Sequence, residues 1–131
     1  MYVFQRKAGV RMMTKSTLDF LVQKTHELID APTCSSETRA SAQRWLAAVG
    51  TADEQAETAV YLTALQADIM PIDQLIAFSQ SDDGIAYFGA EAAAGIAAHA
   101  KEIKQAGAKY CDCPACLAAA AILEKKADIL N

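Results

Sequence analysis

Alanine clusters at Ala92–Ala94, Ala97–Ala98 and Ala118–Ala121, and no comparable run of valine, isoleucine or threonine occurs anywhere in the chain. Alanine loses no side-chain freedom on entering a helix, and its small side chain lets neighbouring helices approach closely. Strands favour branched and aromatic side chains, which pack on a pleated surface. The pattern therefore predicts an all-α protein. With 131 residues, 53% of them hydrophobic and 21% charged, the chain suits one packed domain. A chain of this size buries roughly two-thirds of its unfolded surface. The expectation is a compact bundle of five to six short helices over 14–131, preceded by a disordered or non-native tail over 1–13. Met12 or Met13 is then an alternative start.

Helix signals divide the chain further. Leu18, Leu21, Val22, Thr25, Leu28 and Ile29 fall on one helical face and predict a helix over 16–30. Ser16 and Asp19 form its capping box, and Pro32 ends it by disfavouring helix in the residue before. A second helix is expected over 36–49, with Trp45, Leu46 and Val49 inward and Gly50 just past its end. Thr51 and Glu54 open a third, to about Asp68. Pro71 starts a short fourth carrying Ile72, Leu75, Ile76 and Phe78. Ser81 to Gly84 reads as a turn, and Ile85 to Phe88 as about one helical turn. Longer helices follow over 90–106 and 114–130.

The net charge is −4, and no basic stripe runs along any expected helix, so nucleic-acid binding is not expected. Arg6, Lys7, Arg11 and Lys15 near the start read as charges on a solvated tail. No apolar stretch matches a signal-peptide core or a membrane span, which excludes membrane insertion and places the chain in the cytoplasm. Thiols there stay reduced, so the four cysteines point to metal or redox chemistry before structural disulfides.

Three of them make the chain's most distinctive chemical feature, Cys111-Asp112-Cys113-Pro114-Ala115-Cys116. Thiolates spaced C-x-C-x2-C converge on one centre when they flank a turn entering a helix, and zinc takes four such donors tetrahedrally. The helix N-terminus adds N–H groups and partial positive charge, both of which favour thiolate. Cys116 shares a stripe with Ala119, Ala120, Leu123, Ala127 and Leu130 and is expected to face the interior. Zinc is the expected ion, ahead of an iron–sulfur cluster, with Cys111, Cys113 and Cys116 as ligands. Cys34, also in a turn entering a helix, is the first choice for the fourth donor; its other reading is a small buried hydrophobe. His26 is the second choice. His99, on the stripe of Ile96 and Ile103, is the weakest, since a lone helix histidine is ordinarily a packed or solvated side chain.

Two other readings stay open. Cys113-Pro114-Ala115-Cys116 is a C-x-x-C at a helix start, which in a dithiol enzyme or sensor makes Cys113 the nucleophile and Cys116 the resolving thiol. No strand precedes it, unlike in thioredoxin-type sites. Alternatively the cysteines only pack, and the alanine-rich faces seat another helix, within the bundle or across a homodimer. Other chemistries lack their motifs. His26-Glu27 is not followed by the second histidine of a zinc protease, and no phosphate loop, nucleophile elbow or calcium loop occurs.

The segments Thr25 to Cys34, Ala98 to Lys104 and Tyr110 to Cys116 together resemble a family of short, uncharacterised bacterial proteins, some of which carry a heat-shock or chaperone label. The resemblance extends over about residues 13–130. It implies no particular activity, and the chain has no ATP-binding motif to support an ATP-dependent chaperone role.

Overall fold

The computed structural model describes residues 13–130, so all but Met13 of the tail expected at 1–13 lies outside the described residues. Eight helices run through them: Lys15–Asp30 (α1), Ser36–Ala48 (α2), Glu54–Asp68 (α3), Ile72–Gln80 (α4), Asp82–Phe88 (α5), Ala90–Gln105 (α6), Pro114–Glu124 (α7) and Lys126–Leu130 (α8). The all-α expectation holds, with a higher count than the five to six expected. Two local causes account for the difference. The Ser81 hydroxyl accepts the Gly84 N–H at 3.0 Å and caps a helix where a turn was expected. The last helix breaks at Lys125, and the bend brings Ile129 into the core at 4% exposure.

Caps also differ in detail. Thr14, rather than Ser16, accepts the Thr17 N–H and starts α1 at Lys15, while Asp19 pairs with Lys15 at 3.1 Å. Ser35 caps α2 through the Thr38 N–H. Glu54 reaches back as a capping carboxylate should, but to the Gly50 N–H at 2.9 Å, because the Thr51 hydroxyl is turned to the Ala48 carbonyl.

The helices form two groups with separate cores. In the first, α1, α2, α3, α7 and α8 surround Trp45 and Tyr61, both fully buried and stacked with ring centroids 5.6 Å apart. Their polar ends are satisfied inside. The Trp45 indole N–H donates to the Thr58 hydroxyl at 2.8 Å, and the Tyr61 and Thr25 hydroxyls share a 2.8 Å hydrogen bond. Burial pushes the Tyr61 hydroxyl up to about 12, although the Thr25 hydrogen bond opposes the rise. In the second group, α4, α5 and α6 pack around Ile72, Leu75 and Ala100. Here α5 crosses the end of α4 so closely that a Cβ on Gly84 would stand 1.8 Å from the Phe78 carbonyl oxygen.

Among the described residues, no helix of one group packs on a helix of the other. The two are joined where the outgoing and returning chain segments pair. The Ile72 N–H donates to the Lys109 carbonyl and the Cys111 N–H to the Met70 carbonyl, both at 2.8 Å, around an antiparallel bridge of Pro71 with Tyr110. Gly107, at φ +103°, makes the reversal after α6 that sends the chain back to this crossing. The cysteine cluster begins at it.

Candidate metal centre

The segment Cys111–Cys116 folds as a loop that closes onto the first turn of α7. Cys113 is the N-cap of α7, and its sulfur accepts the Cys116 N–H at 3.4 Å; Pro114 occupies the first helical position, where no N–H is needed. The Cys111 sulfur in turn accepts the Cys113 N–H at 3.5 Å. These bonds gather the three sulfurs within 4.8 Å of one another. Sulfurs set tetrahedrally around zinc at about 2.3 Å stand about 3.8 Å apart, so a small inward movement of each suffices to close on an ion.

The three sulfurs of the cluster differ in how readily they carry charge. Hydrogen bonds from the Cys111 and then the Cys116 thiol hold Cys113 far below the usual thiol range, and the Thr33 hydroxyl adds to the effect against the cost of burial. Cys116 is pushed far up by its hydrogen bonds with Cys111 and Cys113 and by burial. Cys111 is also raised, first by its hydrogen bond with Cys113. The shifts favour charge on Cys113, at the positive end of α7, over its two neighbours.

The loop between α1 and α2 packs on the same helix end. The Thr33 hydroxyl accepts the Ala115 N–H at 3.2 Å, and the Arg39 guanidinium fixes this loop by donating to the carbonyls of Ile29, Ala31 and Cys34. Cys34 lies there, buried at 7% exposure, its S–H directed at the Ser35 carbonyl and its pKa raised by burial. It stands one residue from Thr33, and its sulfur is not one of the three that gather.

His26 is exposed on α1 and takes no part in the cluster. His99, the weakest candidate from sequence, is the histidine that reaches the loop. Its Nε2 lies 2.7 Å from an Asp112 carboxylate oxygen, between the first and second cysteines. The reversal at Gly107 brings Asp112 back alongside α6. Helix position alone, about two turns before the end of α6, gave no sign of that contact. The interior stripe of α7 is also displaced from the expected one. Ala115, Ala118, Ala119 and Ile122 are buried with Ile129 of α8, whereas Cys116, Ala120 and Leu123 sit half-buried beside them and Leu130 is exposed.

That displacement turns Cys116 toward a cavity of about 740 Å³ between the two helix groups. Leu28 and Leu65 line it from the first group and Leu75, Phe88 and Ile96 from the second, and all three clustered cysteines reach it. Among the described residues, its charged lining consists of Asp68 and Asp112, with His99 beside them and no lysine or arginine. Sequence reasoning missed this cavity, because it depends on the gap between two groups that were read as one bundle.

Fold and site together define an all-helical protein with a three-thiol cluster that could hold a metal ion at the junction of two helix groups. Comparison with family models, curated proteins and solved structures gives no match. No helix among the described residues is long and apolar enough to cross a membrane.

Proposed function

We propose that this is a zinc-binding helical protein of structural or regulatory role, with Cys111, Cys113 and Cys116 as its protein ligands. The observation that carries the reading is the gathering of three sulfurs within 4.8 Å on a loop and helix end that already supply N–H groups to them. An iron–sulfur cluster suits the site less well, since it is ordinarily held by four thiolates. The cluster also touches both cores. Cys113 and Cys116 pack on the first and Cys111 on the second, so an ion shared by them ties the two helix groups together. Elemental analysis of untagged protein, purified under reducing conditions, tests the reading. About one zinc per chain is expected, and less than about a tenth of an equivalent of any transition metal refutes it.

A second reading has one specific observation in its favour, the place of Cys113 as the N-cap of α7 with the Cys116 thiol beside it, an arrangement that lowers the Cys113 pKa. As a redox pair, the Cys113 thiolate and the Cys116 thiol form a disulfide and give two electrons and the Cys116 proton to a disulfide oxidant such as oxidised glutathione, whose second thiol takes its proton from water. Iodoacetamide labelling of the metal-free protein across pH, read by mass spectrometry, separates the two. The redox reading requires fast labelling of Cys113 at neutral pH and a reversible Cys113–Cys116 disulfide.

A further inference from the structure

A divalent ion on three thiolates still lacks a donor, and the described residues supply no obvious one. Cys34 is outside the gathered sulfurs, His26 is exposed on α1, and the Nε2 of His99 is engaged by Asp112. What the three cysteines do share is the cavity, since each lines it. Zinc sites that keep an open position hold three protein ligands and leave the fourth for water or a ligand. A cavity of about 740 Å³ falls within the range of small-molecule sites, and Leu28, Leu65, Ile69, Leu75, Phe88 and Ile96 supply its apolar walls.

The charges around the cavity restrict what can enter. Three thiolates on a divalent ion carry one net negative charge, and the carboxylates of Asp68 and Asp112 line the same space without a lysine or arginine among the described residues. An anionic head group would meet repulsion from all three and find no cation to compensate. A neutral donor avoids that cost. The geometry points to an open metal position facing the cavity, which takes a small apolar molecule through a neutral nitrogen donor of the imidazole or pyridine kind. This rests on the reading of the cluster as a metal site. Binding is coordination only: the nitrogen lone pair displaces a water from the metal, no proton is transferred, and the apolar body fills the space between the helix groups.

Cobalt(II) in place of zinc makes each part visible in the full-length chain. Thiolate-to-cobalt charge transfer reports the three cysteines, and the d–d bands report the fourth donor. The probes are imidazole, 4-phenylimidazole and phenylacetate. Saturable shifts of the d–d bands are expected with both imidazoles, half-saturation coming at least about tenfold earlier for 4-phenylimidazole because its ring buries apolar surface. Phenylacetate, an anion, should leave the bands unchanged. Gly95 lines the cavity, and a Cβ there meets no atom within 4 Å, so Gly95→Phe adds bulk at the cavity wall from an uncrowded backbone position. That variant should keep the charge-transfer band and the imidazole response but lose the advantage of 4-phenylimidazole. Absence of the charge-transfer band overturns the metal reading itself. A normal charge-transfer band with d–d bands that ignore every probe overturns only the open position. So does a change in the probe-free d–d bands on His99→Ala or Cys34→Ser, since either residue would then be the fourth donor.

Discussion

Loading the cluster with zinc must expel protons, and the structure sets how many. All three sulfurs have to be thiolates to bind the ion, yet only Cys113 is held in that form; Cys111 and Cys116 have raised pKa values and enter as thiols. Two protons therefore leave for each zinc bound. The sign follows from the direction of the shifts: between the depressed range of Cys113 and the raised range of its neighbours, alkali favours the loaded form and acid competes with the metal. Each proton contributes about 1.4 kcal/mol per pH unit, so the affinity should rise about a hundredfold, or about 2.7 kcal/mol, for each unit. Competition with a chromophoric chelator between about pH 6.5 and 8, corrected for the chelator's own protonation, gives the slope directly. Release of acid into a weakly buffered solution on zinc addition gives the same count independently. A slope near three would mean that Cys113 is a thiol in the metal-free protein. A slope of one or less would mean that the neighbours are not held protonated. Either result refutes this division of charge among the three sulfurs.

The buried Tyr61 hydroxyl, raised to about 12, should resist ionisation. The unfolded chain ionises it near its ordinary value of about 10, so stability is fully present below that and is lost as pH rises toward about 12. Ultraviolet phenolate absorbance, followed with circular dichroism, should show one tyrosine ionising only as helix is lost. Gly84→Ala sets a Cβ against the Phe78 carbonyl oxygen at 1.8 Å, and backbone on both sides has to move. Urea unfolding should show a loss of about 1–3 kcal/mol, and an unchanged midpoint would mean that α5 does not cross α4 as closely as described. Among the described residues the Ser41 hydroxyl is buried without a partner, so Ser41→Ala should leave stability unchanged or raise it by about 1 kcal/mol in the same assay. A marked loss would show that the hydroxyl is bonded after all.

Local features of this fold were largely legible in the sequence because their causes are local. Pro32, Gly50 and Gly107 mark helix ends by their own backbone preferences, and the bounds of α2 and α6 fall within a residue of those expected, whereas α3 starts at Glu54 behind Asp53 rather than behind Thr51. The gathering of Cys111, Cys113 and Cys116 is equally local, since the spacing and the helix start that Pro114 signals are enough to bring the sulfurs together. Ser81 was misread because serine, two aspartates and glycine serve a turn and a helix start alike. What could not be read depends on pairing across long separations. The bridge of Pro71 with Tyr110 leaves no periodic trace, yet it divides the helices into two groups and opens the cavity. The same reversal brings Asp112 to His99, and nothing in the residue pattern along α6 ranks that histidine above His26.

The crossing at Pro71 and Tyr110 also makes the second helix group topologically an insertion. The chain departs from the first core after α3 and returns to it at α7 through the same point, with the Ile72 N–H and the Lys109 carbonyl only 2.8 Å apart. Removing 72–109 and bridging the gap with a short turn would thus leave α1, α2, α3, α7 and α8 with their mutual contacts unchanged. Cys113 and Cys116 would keep their seats on α7, while one wall of the cavity, with Phe88, Ile96 and His99, would be gone. The arrangement behaves as a socket and an exchangeable cover: grafting a different helical segment between residues 71 and 110 would reshape what the thiols face without rebuilding the core that holds them.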